Sequence, residues 1–243
     1  MDVRSDITSP YYPYFKVRSG FGNFKQYAAF PRKICDYLID APDPGTGYEP
    51  IDGDEYPRSR LWKRIYYDGA RPLSEPLPTI QQKMSVLFDP DRPTDPPTPK
   101  GYRLIPQEYI KQAQTEAQTR IYVYMGRLLA SKNDSILAAS VIFDVFTHYT
   151  YELNMKTDEY SRSGAIVADI LDALDGVNIT GIGTFSLSKA LHPDCGDRPI
   201  FDGDTNVGHQ LIIGLALDAT TLVENDKFEN LPPLNESGTI RLA

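Results

Sequence analysis

The stretch TRIYVYMGRLL at residues 119–129, followed after a polar break by ASVIFDVFTHYTYEL at 139–153, decides the fold. In the first, Ile121, Val123 and Met125 alternate with Tyr122 and Tyr124; in the second, Val141, Phe143 and Val145 alternate with Ile142, Asp144 and Phe146. A period of two in β-branched and aromatic residues puts alternate side chains on a buried face, so two strands are predicted, the second over about 137–150. The SKND at 131–134 supplies a polar turn between them, and the pair is expected to run antiparallel.

Towards the C-terminus, Ser161 is placed to cap a helix in which Ile166, Val167, Ile170, Leu171 and Leu174 recur at helical spacing until Gly176 ends it. A third strand is read over 181–189, with Phe185 and Leu187 on one side. A Pro-, Asp- and Gly-rich loop is read over 192–206, and a last strand over 208–218. The order strand, strand, helix, strand, strand describes an α+β core over residues 101–220: an antiparallel sheet with helices packed on one face, since an apolar helical stripe needs a sheet to cover. Residues 221–243 read as a flexible acidic tail.

Towards the N-terminus the signals weaken. Residues 1–20, rich in Tyr, Pro and Ser, show no period and read as an extended arm. Residues 21–100 read as a region of helices and long loops. Short helices are predicted at about 31–40 behind Pro31, at 58–68 with Leu61, Trp62, Ile65 and Tyr66 on one face, and at 79–88 with Ile80, Met84, Leu87 and Phe88 at helical spacing. Turn formers fill 41–57. The proline-rich DPDRPTDPPTPKG at 89–101 excludes helix and central strand, and as a stiff linker it marks a boundary near residue 100.

Composition narrows the function classes. A net charge of −8 over 243 residues argues against a specific nucleic-acid interface, which needs clustered Lys and Arg. No apolar run approaches the ~20 residues of a membrane span, and the start MDVRSDITSPYYPYF lacks the pattern of a signal peptide. Two distant cysteines, Cys35 and Cys195, suggest neither zinc nor a disulfide framework and fit a reducing cytoplasm.

Candidate chemistry is sparse. His192, Asp194, Cys195, Asp197, Asp202, Asp204 and His209 crowd one loop and its flanking strand, but their spacing matches no zinc pattern. The acidic runs at Asp52, Asp54 and Glu55 and at Asp89, Asp91 and Asp95 lack the glycine and distal glutamate of a calcium loop. Gly181-Ile182-Gly183 lacks the third glycine of a dinucleotide fingerprint and leads into a strand, so a local backbone requirement explains it better. His148 has no nucleophile-elbow serine or cysteine to serve. Neither a catalytic residue, nor a cofactor site, nor a metal site is assigned. Tyr12, Tyr14 and Phe15 in the arm, Arg162 at the start of the best helix, and Asp202 in the loop are read instead as contact points with other subunits or partners, the arm aromatics equally as folding back over this chain's own sheet.

The succession TRIYVYMGRLL, ASVIFDVFTHYTYEL, SRSGAIVADILDALDGVNITGIGTFSLS and NVGHQLIIGLALDA, over about residues 117–219, resembles neck or tail-terminator proteins of tailed bacteriophages. The resemblance implies a compact sheet with helices on one face and a structural virion protein without turnover. In that reading six copies close a ring that caps the tail tube and joins it to the head–tail connector, with DNA passing through the lumen. It implies copies of itself, the tube and connector proteins as partners, and a place in the virion neck after synthesis in the host cytoplasm. The long N-terminal half departs from a minimal terminator. The competing readings are a head-completion or connector adaptor and, from other classes, a metal-dependent hydrolase built on the 192–209 loop or a ligand-binding module built on the tyrosines.

Overall fold

A computed structural model of the chain describes residues 24–39, 56–88, 101–108, 117–130, 136–153, 161–179 and 181–218. The expected arm, the 41–55 stretch, the proline-rich linker beyond residue 88, the SKND turn and the acidic tail lie outside the described residues.

The two deciding stretches form long strands, β2 (Arg120–Ala130) and β3 (Ile136–His148), paired antiparallel from Arg120↔Phe146 to Ala130↔Leu137. The last strand, β7 (Asn206–Asp218), lies antiparallel to β3 along its whole length. The alternation read from the sequence coincides with burial: Ile121, Val123, Val141, Phe143, Val145, Leu211, Ile213 and Leu215 are all fully buried on one face. The predicted third strand is shorter than expected, β5 (Gly183–Ser186), in a hairpin with β4 (Asn178–Ile179). A two-residue strand β1 (Leu104–Ile105) runs parallel to β2. The result is a mixed α+β fold on a mostly antiparallel sheet in the order β1-β2-β3-β7-β5-β4.

One expectation is corrected. The stretch read as a loop from His192 contains a strand, β6 (Gly196–Asp202), joined to β7 by a tight turn at residues 203–205 and paired with it from Asp202↔Asn206 to Gly196↔Ile212. Its sequence GDRPIFD hides it, because Gly, Asp and Pro are depleted in strands. Pro199 is admissible here because β6 pairs with β7 alone among the described strands, as an edge strand can. β7 therefore has a divided partner: β6 covers 206–212 and β5 covers 214–216 on the same side. Residues 187–195 make an excursion between the two halves.

Gly181 and Gly183 both adopt positive φ, 76° and 139°, and a Cβ on Gly183 would run into the Ala216 carbonyl. The pair is thus the local backbone requirement inferred from sequence, placed where β5 presses against β7.

The helices cover the buried face. α1 (Phe30–Ile39), preceded by a 3-10 turn at Phe24–Ala29, lies against β2. α5 (Arg162–Leu174) lies against β3 and β7, and α2 (Pro57–Tyr66) packs on α5. As predicted, the Ser161 hydroxyl caps α5 by accepting from the Gly164 N–H at 3.0 Å. Short helix α4 (Tyr149–Leu153) follows β3 and adds Glu152, which accepts from the Ser163 N–H and satisfies a second orphan donor at the same helix end.

Residues on both sides of the proline-rich stretch share one core: Phe30, Ile34, Leu61, Trp62 and Val86 pack with Val141, Phe143, Ile170 and Leu215. The expected boundary near residue 100 does not separate two cores, because the helices at 30–39 and 57–66 are the layer that buries the sheet.

Helix α3 (Ile80–Ser85) is shorter than predicted and turned by one residue. Thr79 and Gln82 form a reciprocal capping box, but Ile80 and Met84 are exposed and the inward positions are Lys83, Val86 and Leu87. Lys83 is accommodated because its ammonium reaches the Ile39 carbonyl at the end of α1 and lies over the Trp62 ring.

Candidate functional site

The sheet face opposite the helices carries a row of polar side chains that register alone assembles. Asp144 on β3 stands opposite Gln210 on β7, and Gln210 opposite Arg198 on β6. Asp144 accepts from the Tyr124 hydroxyl at 2.9 Å and from Gln210 Nε2 at 2.7 Å, while Arg198 donates to Gln210 Oε1. Tyr124, Asp144, Gln210 and Arg198 thus tie β2, β3, β7 and β6 together, with Asp144 and Gln210 buried and Arg198 exposed at the end.

Both flanks of the row are covered. At one end Ile105, Tyr122 and Phe146 form a small second cluster with Phe88, Tyr102 and Ile200. At the other, the 187–195 excursion lays Leu191 and Cys195 near Gly214, and buried His192 brings Nε2 to 3.1 Å from the Arg127 carbonyl. That carbonyl belongs to a β-bulge, for β2 gains one residue against β3 between Met125 and Leu128. The Gly126 carbonyl in the same bulge accepts from the Tyr27 hydroxyl at 3.4 Å.

Burial raises the Asp144 carboxyl above the usual range, an effect opposed by the hydrogen bonds from Gln210 and Tyr124 and by the charge of Arg198. Burial beside that carboxylate also raises the Tyr124 hydroxyl. The groups satisfy one another, so the row acts as a latch across four strands. A carboxyl raised on folding binds its proton more readily in the folded chain. Its contribution to stability is therefore present at low pH and lost as pH rises through the raised value. Asp144→Asn, which keeps the shape and cannot ionise, is expected to gain stability relative to the parent chain from about pH 4.5 to about pH 8. Urea unfolding at the two pH values checks the sign.

The residues read from sequence as contact points are distributed otherwise. Tyr12, Tyr14 and Phe15 lie outside the described residues. Arg162 is corrected: it is fully buried. Its guanidinium donates to the carbonyls of Arg64 at 3.1 Å, Tyr67 at 2.7 Å and Gly69, closing the C-terminal end of α2. Arg103 works beside it, donating to the Ile65 carbonyl and gripping both carboxylate oxygens of Asp68 at 2.7 and 2.6 Å. An arginine at a helix start reads as surface, and nothing local announces that its partners lie some 95 residues earlier. Asp202 ends β6, partly buried, beside the hairpin turn.

The histidines and carboxylates of 192–209 are spread rather than gathered. His192 serves the bulge, His209 pairs with Asp197 at 2.9 Å, and Asp202 sits at the far end of β6. Among the described residues no three His, Cys, Asp or Glu side chains are grouped to hold a metal. His148 packs against Tyr149 and Tyr151 and accepts from the Thr150 N–H. No described helix is long and apolar enough to cross a membrane.

One surface feature was missed with β6. Phe201 is 73% exposed, the most open of the large apolar side chains among the described residues, on a hairpin that with the turn before it carries Asp194, Asp197, Asp202 and Asp204 against Arg198.

In comparison with known proteins, the chain matches the model of the YomW family over residues 59–196. No curated protein and no solved structure matches it.

Proposed function

Because the chain belongs to the YomW family, a family of phage-type gene products, we propose that it is a structural subunit of a tailed-phage particle. It acts as a tail terminator: copies close a ring that caps the tail tube and meets the head–tail connector, without cofactor or turnover.

The observation that carries this reading is the two-sidedness of the subunit. The described chain begins beside β2, where Tyr27 is bonded to the bulge, whereas the acidic hairpin with Phe201 stands at the opposite side of the sheet. A ring needs two different surfaces on each copy whose repeated pairing closes. The helices hold the sheet from one face, and the four-strand latch stiffens the other, so both surfaces sit on one rigid body.

The test is the mass of the full-length protein across a concentration series, alone and with purified tail tubes, with negative-stain images of the largest species. Closed rings of about six copies, free or seated on tube ends, are expected. A monomer under both conditions overturns the reading.

A further inference from the structure

We infer that the outer edge of β6 is a docking strip for the aromatic, basic N-terminal segment around residues 10–18 of a second copy. The surface comes first. β6 pairs with β7 on one side, and among the described residues no strand pairs with its other side. Pro199 has no N–H to give, so it fits a position whose N–H would point away from β7. By the alternation of the ladder, Asp197 and Phe201 then also direct their backbone groups outward. Pro199 leaves no N–H on this side, so an added segment meets the outward carbonyls and the N–H groups of Asp197 and Phe201 only. Phe201, 73% exposed, offers the apolar anchor beside it.

Charge selects the occupant. The hairpin and the turn before it carry Asp194, Asp197, Asp202 and Asp204 against Arg198. A second β6 edge would bring like charges together, and the acidic C-terminal residues would do the same. The N-terminal sequence is the reverse: PYYPYFKVR at 10–18 holds four aromatics, Lys16 and Arg18, and no Asp or Glu occurs from residue 7 to residue 35. Tyr and Phe supply contact area on Phe201, Lys and Arg meet the carboxylates, and the backbone of the segment takes the outward groups that remain.

The proposed ring calls for a second copy rather than the same chain, because it needs a contact between neighbours. The described chain begins at Phe24 on the β2 side, and β6 lies beyond β3 and β7 on the other. Phe24 and the strip therefore lie on opposite sides of the described sheet, as the head-to-tail arrangement from which rings are built requires. The inference rests on the proposed assembly for its geometry and names the contact that joins neighbours.

The test mixes two full-length variants, Tyr14→Cys and Phe201→Cys, and oxidises them with copper–phenanthroline; native Cys35 and Cys195 are buried. A linked heterodimer is expected at least fivefold above the yield from Tyr14→Cys mixed with Ile80→Cys, an exposed position on the helical layer. Adding Lys16→Glu and Arg18→Glu to the first partner is expected to lower the yield at least threefold. Equal yields from the two mixtures overturn the inference. So does a doubly substituted Tyr14→Cys/Phe201→Cys chain that closes only on itself. Ring formation is read separately by mass: rings without this link leave the terminator reading standing and remove the docking strip, while linked open chains do the opposite.

Discussion

Replacing Arg162 with Ala is expected to remove about 3–5 kcal/mol of folding stability, the range for stripping a buried charged donor from its partners. The side chain is fully buried, and it answers three carbonyls where α2 ends. Helices leave their last carbonyls without intrahelical donors, and a cation there also meets the negative end of the dipole. Burial pulls the guanidinium below its ordinary range, with Asp68 and Glu152 opposing the shift, which fits a charge held in the interior by acceptors. Arg162→Lys is expected to recover little, because a single ammonium on a flexible stem cannot span three carbonyls held by a planar fork. Urea unfolding followed by circular dichroism gives both values. A change under about 1 kcal/mol for the Ala variant would return Arg162 to the surface role first read for it.

A loss of similar size is expected for Trp62→Ala, about 3–5 kcal/mol, from the removal of a large aromatic in a packed core. Trp62 is fully buried on α2 and sits where three helices meet. Its indole N–H donates to the Leu38 carbonyl near the end of α1 at 2.7 Å, and Lys83 of α3 lies over its ring. Truncation therefore opens a cavity, orphans a carbonyl at the end of α1 and uncovers the Lys83 ammonium together. Trp62→Phe, which keeps most of the volume and loses the N–H, is expected to cost about 1–3 kcal/mol.

What the sequence disclosed follows from where burial and period coincide. β2, β3, β7 and α5 were legible because each presents one face to a continuous core, so Val141, Phe143 and Val145, or Ile166 and Ile170, repeat at the spacing of their element. β6 was hidden because an edge strand with few buried side chains has no reason to alternate, and its Asp, Gly and Pro are the residues of turns. The Ile80 and Met84 spacing misled because α3 has under two turns, so one residue's rotation changes which side is inward. The polar latch was out of reach for another reason: Tyr124, Asp144, Arg198 and Gln210 acquire meaning only once the register of four strands is known.

The divided partner of β7 gives the fold a joint where length can change. β5 and β6 continue one line along the same strand, so the residues between them leave and rejoin the sheet at nearly the same place. Extra chain inserted at the exposed Lys189–Ala190 turn would lengthen a closed excursion whose entropic cost grows only logarithmically with its size. Neither the register of β7 nor the helical layer would be displaced. In a lineage of such proteins this is the place to graft new surface, and a relative could carry a different crown there on an unaltered frame.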